Sequence, residues 1–159
     1  MSTLLSFILM CAALVGCTDE FTKEQQESAK EVEDLIHRSG TITIYSLDPQ
    51  RSDKVEQDDF HGYKIIGQKG VTEPNDRSKL LSKLADSIRQ NTGVVAACFN
   101  PRHGLRFKAD NAQMDFVICF ECSSGRGYGT ADGSFLLTNS GNEEFNAFLD
   151  KHGIQRCPE

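Results

Sequence analysis

The chain has 159 residues, enough for one domain, and its formal net charge is −6. An acidic chain that contains no basic run argues against a nucleic-acid partner and against electrostatic docking on anionic lipid. A hydrophobic fraction of 38% permits one buried core, and the sequence contains no glycine-rich phosphate-binding loop.

The N-terminal segment predicts export followed by lipid anchoring. Residues 4–15 form an apolar run that has the length of a signal-peptide core and is too short to span a bilayer comfortably. The run ends in Leu-Val-Gly-Cys at 14–17, which resembles the lipobox of bacterial lipoproteins, although residues 2–7 lack the usual Lys or Arg. The resemblance implies that Cys17 becomes an acylated N-terminus. An ordinary cleaved signal and an uncleaved anchor are the alternatives.

Thr18 follows the cysteine, and this resembles outer-membrane retention under the sorting rule of enteric-type bacteria. We therefore expect a protein of the cell envelope, on the periplasmic side of the outer membrane rather than the inner one. Its expected partners are the membrane, through the lipid at Cys17, and a protein of the envelope. Residues 1–16 are the predicted signal peptide, 17–40 the acylated cysteine with a tether or helix, and 41–157 a single domain.

Hydrophobic periodicity predicts the elements of the mature chain. A helix is expected near 22–38, strands at 41–47 and 61–66, and a helix from Thr72 to Thr92-Gly93. Asp48-Pro49 is expected to end the first strand. Further strands are predicted at 94–99, 105–109, 114–122 and 128–138, the last with Asp132-Gly133 as a turn, and a short helix follows them. This order indicates an α+β fold: a largely antiparallel sheet with helices packed on one face.

The strands between 94 and 122 predict two hairpins with four-residue loops at 100–103 and 110–113. If both hairpins close symmetrically, Cys98 faces Leu105 and Ala109 faces Met114. One face then holds only apolar side chains: Ala96, Cys98, Leu105, Phe107, Ala109, Met114, Phe116, Ile118, Phe120 and Cys122. The other face holds Phe99, Arg106, Lys108, Asp115, Val117, Cys119 and Glu121.

Four cysteines remain once the signal peptide and the lipidated cysteine are set aside, and an oxidising compartment favours two disulfides. On one predicted strand Cys119 and Cys122 point to opposite faces, so they are not expected to bond to each other. The predicted register also makes a Cys98–Cys122 bridge unlikely, because about 13 Å separates them along the strand. Cys157 could reach any of the three, and a Cys122–Cys157 disulfide is the expected one.

Cys98, His103, Cys119 and Cys122 contain the donor atoms of a metal or haem site. The preferred interpretation is that Cys98 and Cys122 are small hydrophobes on the apolar face. No metal and no other cofactor is therefore expected. A thioredoxin-like role is disfavoured, because that motif needs a helix N-terminus to lower the thiol pKa.

One polar cluster is a candidate functional face. Arg102 and His103 are predicted at a stiff hairpin tip beside the charged face of the sheet. Together they offer a possible acid, base and nucleophile set. The alternative is an ordinary exposed face with cross-strand charge pairs such as Lys108–Asp115. The candidate residues are Arg102, His103, Arg106, Asp115, Cys119 and Glu121.

Four segments, 45–49 (YSLDP), 60–64 (FHGYK), 97–106 (ACFNPRHGLR) and 115–122 (DFVICFEC), resemble a family of small exported bacterial proteins of unknown function. The resemblance covers about residues 41–150. It implies no activity, so no catalytic residue is carried over. It directs attention to the polar residues inside the matching segments, which are Arg102, His103, Arg106, Cys119 and Glu121.

Two functional hypotheses follow from the sequence. The absence of a catalytic signature favours a membrane-anchored binding or accessory module without chemistry of its own. The alternative is a thiol- or metal-dependent site built on His103 and Cys119, with Glu121 or Asp115. A Cys119 thiolate beside Arg106 and His103 would have a lowered pKa.

Overall fold

The computed structural model describes residues 40–51, 58–109, 112–129 and 132–158, and seven positions from Lys23 to Asp34. Those seven positions are helical, which agrees with the helix predicted near 22–38. The signal peptide and Cys17 lie outside the described residues. Within these ranges, no helix is long and apolar enough to cross a membrane.

Six strands form one antiparallel sheet in the order β2-β1-β3-β4-β5-β6. Besides the helical positions from Lys23 to Asp34, the described fold contains two helices and a short 3-10 turn at Asn139–Gly141, which confirms the predicted α+β class. The strands are β1 (Thr41–Arg51), β2 (Tyr63–Gly70), β3 (His103–Ala109), β4 (Ala112–Cys119), β5 (Ser124–Gly129) and β6 (Gly133–Leu136).

Helix α1 (Pro74–Arg89) follows β2, and helix α2 (Asn142–Lys151) follows the sheet. Proline in the first turn, with Asp76 there and Arg89 in the last turn, suits the backbone and the dipole of α1. The apolar stripe of α1 is buried as predicted. Its core residues are Leu80, Leu81, Leu84, Ala85 and Ile88, and those of α2 are Phe145, Phe148 and Leu149.

The main core lies between these helices and one face of the sheet. Alternate residues of β1, β3 and β4 point into it, as a strand with one buried face requires. They are Ile42, Ile44, Leu105, Phe107, Met114, Phe116 and Ile118. The opposite face is not simply polar, because Tyr45, Leu47 and Val117 form a second core there with Phe60 and Tyr63.

The register of β3 against β4 differs from the predicted one by two residues. Arg106 lies opposite Asp115, and Ala109 lies opposite Ala112 rather than Met114. The predicted four-residue loop was too long, because Ala112 and Gln113 already belong to β4. A shift of two residues keeps every side chain on its face, so the predicted separation of Phe107 and Phe116 from the charged residues is retained.

The prediction of a strand at 94–99 was wrong. That side of β3 is occupied by β1, with Ser46 opposite His103 and the Leu47 amide donating to the Arg102 carbonyl. Residues 94–99 therefore lie without regular secondary structure beside the turn after β4, where the Ala96 amide donates to the Cys122 carbonyl at 3.1 Å.

Three element boundaries also differ from prediction. The β1 strand does not stop at Asp48-Pro49 but continues to Arg51, with register shifts against β2 on both sides of Leu47. The β4 strand ends at Cys119 rather than Cys122. The region predicted as one strand with an internal turn at 128–138 forms two strands, of which β5 already begins at Ser124.

Candidate functional site

Arg106 and Asp115 form the centre of a closed polar network on the face of the second core. Arg106 donates to both carboxylate oxygens of Asp115, at 2.8 Å from Nε and 2.7 Å from Nη2. His61 Nε2 lies 2.8 Å from Oδ2 of the same carboxylate, and Gln113 donates to that oxygen at 3.2 Å. His61 stacks on Tyr128, with ring centres 3.8 Å apart. The carboxylate is therefore fully engaged, and Asp115 pairs with Arg106 rather than with Lys108.

The electrostatics of this network favour the ionised carboxylate. Burial would raise the pKa of Asp115, but hydrogen bonds from Arg106 and His61 outweigh it and leave the pKa below its ordinary value. Arg106 also lies over the ring of Phe60, 5.1 Å from its centre. The arrangement is suited to holding the second core together.

His103 was predicted at a hairpin tip. It lies instead in β3, and its side chain points into the main core. It is 4% exposed and lies against Phe120 and Phe145, at ring-centre distances of 5.4 and 5.6 Å. Its Nε2 is 3.0 Å from Oδ1 of Asn146. Burial lowers the pKa of His103 to about 4, so the ring is neutral at physiological pH.

His103 and Cys119 do not share a face of the sheet. His103 pairs with Ile118, which points into the main core, and Cys119 is the next residue, so its side chain points the other way. The proposed site built on these two residues is therefore not assembled. His103 instead lines a small cavity with Arg102, Glu121, Asn146, Arg156 and Cys157.

Arg102 and Glu121 form an ion pair of 2.7 Å at this cavity, with 21% and 45% of their side chains exposed. Arg102 also donates to the Pro158 carbonyl at 3.4 Å, which fixes the C-terminal segment beside it. An ion pair this exposed contributes little to stability. The six predicted residues thus divide among the cavity, the Asp115 network and a cysteine cluster.

Cys98, Cys119 and Cys122, here called the sulfur cluster, lie together at the end of β4. Cys119 and Cys122 are joined by a disulfide, and their residues are 1% and 0% exposed. Cys98 is a free and exposed cysteine, and its Sγ lies 3.1 Å from Sγ of Cys122. A free thiol is therefore in contact with one sulfur of a buried disulfide.

The cluster overturns the expected disulfide pattern. Cys122 is bonded to Cys119 rather than to Cys157, which is free and partly exposed. The expectation failed because Cys122 lies in a turn, where the strand rule that sends alternate side chains to opposite faces no longer holds. The turn is closed by the Ser123 amide, which donates to the Phe120 carbonyl at 3.2 Å.

Two backbone amides donate hydrogen bonds to sulfur atoms of the cluster. The Cys122 amide donates to Cys119 Sγ at 3.2 Å, and the Asn100 amide donates to Cys122 Sγ at 3.4 Å. Amide donors stabilise negative charge on sulfur as it develops. Whichever of the two disulfide sulfurs leaves as a thiolate, a backbone amide is in place to stabilise it.

The contact between Cys98 and Cys122 was missed, because the predicted strand would have buried Cys98 on the apolar face. The sequence signal that could have revealed the turn at Cys122 was the Ser-Ser-Gly that follows it, a composition typical of turns. In the described part of the chain, no group of three or more His, Cys, Asp or Glu side chains is arranged to hold a metal ion.

No protein-family model, curated protein or solved structure matches the chain.

Proposed function

We propose that the chain is an exported lipoprotein, anchored through Cys17 in the cell envelope, whose domain exchanges disulfides with partner proteins. The observation that supports this function is the 3.1 Å distance between the free thiol of Cys98 and the Cys122 sulfur of a disulfide. Export to an oxidising compartment would maintain that disulfide. The thiol site expected from the sequence contained His103 and Cys119. The site proposed here contains Cys98 in place of His103.

Accessibility makes Cys98 the entry point. Cys119 and Cys122 are buried, so a partner thiol cannot reach their bond directly. Cys98 is exposed and already in contact with Cys122. Electrons from a partner would therefore pass through Cys98 to the buried disulfide.

The first step is internal and needs no other reactant. The Cys98 thiolate attacks Sγ of Cys122, the Cys119–Cys122 bond breaks, and a Cys98–Cys122 bond forms. Cys119 leaves as a thiolate, held by the Cys122 amide at 3.2 Å, and then takes up a proton. The number of thiols and disulfides is unchanged.

The second step involves a partner that carries two thiols. One partner thiolate attacks Sγ of Cys98, and Cys122 leaves as a thiolate held by the Asn100 amide. The second partner thiolate then displaces Cys98 from the mixed disulfide. The partner gains a disulfide, and the two electrons and two protons that it loses reduce the bond of the sulfur cluster.

The test uses the mature, full-length protein in detergent, oxidised at the outset, and a reduced peptide that contains two cysteines. We expect peptide oxidation and a transient mixed disulfide at Cys98, found by acid quenching, alkylation and mass spectrometry. Cys98→Ser should slow peptide oxidation at least tenfold, because the remaining disulfide sulfurs are buried. Cys157→Ser is the matched control, since Cys157 is the other free cysteine of the described residues, and its rate should equal that of the wild type.

Equal rates for Cys98→Ser and the wild type would contradict the exchange mechanism. A stoichiometric metal bound by the three thiols and no reaction with the peptide would contradict it as well. Equal rates would favour the binding or accessory module without chemistry, whereas a stoichiometric metal would favour the metal-dependent alternative.

A further inference from the structure

Arg126 lies on the same face of the sheet as the sulfur cluster. In β5 it pairs with Val117, a residue of the second core, and directly opposed residues of antiparallel strands point to the same face. Cys119 is two residues beyond Val117 in β4 and points to that face as well. Such diagonal neighbours are about 7–8 Å apart. The Arg126 side chain therefore begins beside the end of β4 at which the sulfur cluster lies.

Phe99 connects Arg126 to the reactive thiol. It follows Cys98 in the chain and packs against the second core, and the Arg126 guanidinium lies over its ring, 4.5 Å from the centre. This contact holds the guanidinium at the surface next to Cys98, which is itself exposed. A guanidinium that stacks on an aromatic ring keeps its N–H donors for a carboxylate.

The charge of Arg126 is available to a partner. The residue is exposed, and its guanidinium forms no ion pair or hydrogen bond with a described residue. Glu121, which precedes Cys122, is instead paired with Arg102 at 2.7 Å. In a chain with a formal net charge of −6, an exposed and unpaired cation beside the thiol is a local attraction for an anion.

A second arginine adds to the positive potential of this face. The rings of Tyr63 and Phe99 meet edge to face, with centres 6.4 Å apart. Burial raises the pKa of the Tyr63 hydroxyl, and the charges of Arg126 and Arg51 oppose that rise. Both cations therefore act on the surface around Phe99.

We propose that the partner thiol carries a carboxylate beside its sulfur, and that Arg126 binds this carboxylate while the sulfur reacts at Cys98. The proposal rests on the proposed exchange and names the substrate class. A guanidinium can bind a carboxylate through two parallel hydrogen bonds, which orients the incoming group as well as attracting it. Two kinds of substrate offer this chemistry: a polypeptide with Asp or Glu next to its cysteine, and a small acidic thiol such as glutathione.

The experiment uses the mature, full-length Cys157→Ser protein in detergent, whose oxidised form keeps Cys98 as the free thiol of the described residues. The reagents are peptides with an uncharged pyridyl mixed disulfide at their cysteine, flanked by Glu in one peptide and by Gln in the other. The Cys98 thiolate attacks the peptide sulfur, the sulfur–sulfur bond breaks, and thiopyridine leaves, takes up a proton and is measured by its absorbance.

Rates are expressed relative to dipyridyl disulfide, which has no carboxylate and reports the reactivity of Cys98 itself. We expect the Glu peptide to react about threefold faster than the Gln peptide at low ionic strength, the size of effect that an exposed ion pair produces. The preference should disappear at about 1 M salt, where the Debye length is about 3 Å.

The variant Arg126→Gln should lose the threefold preference. Lys69→Gln is the matched control, because it removes the same charge from an exposed position in β2, three strands away from β5, and it should keep the preference. The pyridyl mixed disulfide of glutathione is the second arm. An effect of Arg126→Gln confined to that reagent would support the role of Arg126 and assign the carboxylate to a small thiol.

The remaining outcomes separate the two proposals. If the Glu and Gln peptides react equally and glutathione is unaffected by Arg126→Gln, exchange stands and the inference is overturned. Equal loss of the preference in Arg126→Gln and Lys69→Gln would show that net charge is responsible, which also overturns it. If no reagent modifies Cys98, dipyridyl disulfide included, the proposed function fails and the inference fails with it.

Discussion

His103 shows how strongly a single side chain depends on its neighbours. Its ring is enclosed by Phe120 and Phe145, and Asn146 is the hydrogen-bond partner of Nε2. A charged imidazolium would be desolvated there without a counter-ion, which is why burial lowers its pKa to about 4. Its role is therefore to fill the core between β3 and α2.

This environment predicts a loss of stability in mild acid. The pKa of His103 is about 4 in the folded chain, against 6.5 for an unperturbed histidine, so protons bind the unfolded state more tightly. The contribution of the neutral His103 ring to the free energy of unfolding is fully present above pH 6.5. That free energy falls by about 3 kcal/mol as the pH decreases to 4. Urea unfolding at pH 7, 5.5 and 4 measures it.

The variant His103→Gln provides the control, because glutamine does not titrate. It is expected to be less stable than the wild type at pH 7, and the difference should shrink toward pH 4. Parallel pH profiles for the two proteins would show that His103 is not responsible.

At the scale of elements, the turn between β4 and β5 decides the chemistry of the site. A strand would have separated Cys119 from Cys122, whereas the turn brings them into one disulfide. Ser123 in this turn has φ of 54°, in the left-handed region that costs a residue with a Cβ more than glycine.

Adjacent serines give a matched test of this turn. Ser123→Gly should stabilise the fold by about 0.5–1 kcal/mol, because glycine adopts positive φ without steric cost. Ser124→Gly lies in β5 and should destabilise it by a similar amount, since glycine weakens a strand. Chemical denaturation of both variants checks the signs. Destabilisation by Ser123→Gly would show that the turn depends on the serine itself.

Much of the fold could be predicted from local patterns, and the sulfur cluster could not. The stripe of α1 and the alternation in β3 and β4 follow from periodicity, which survives a register error of two residues. Residues 94–99 have the composition of a strand, but the partner they would have needed is taken by β1, an effect of distant chain segments. The contact between Cys98 and Cys122 follows from that displacement, so no local pattern could reveal it.

At the scale of the whole molecule, one sheet carries two cores, and the sulfur cluster lies at the end of β4, one of its two central strands. The carboxylate of Asp115 is held by Arg106, and at the cavity Arg102 is paired with Glu121. Cys98 is exposed, so an incoming protein could reach it.

Anchoring is the prediction that concerns the entire chain. If Cys17 is acylated, the mature protein fractionates with membranes, and the mass of its N-terminal peptide includes the acyl chains. Cys17→Ser should move it into the soluble fraction without altering Cys98 reactivity. A peptide that retains Met1 would show that the signal is not processed and that the lipoprotein proposal is wrong.

The spacing of the three cysteines also affects how strongly a disulfide stabilises the fold. The Cys119–Cys122 bond spans 3 residues, whereas a bond between Cys98 and Cys122 spans 24. A longer closed loop removes more conformational entropy from the unfolded chain. In the loop-entropy model, the longer loop makes the folded state more stable by about 2 kcal/mol than the shorter one does. Moving one bond between neighbouring sulfurs would therefore make the domain harder to unravel and to proteolyse, without any change in its oxidation state.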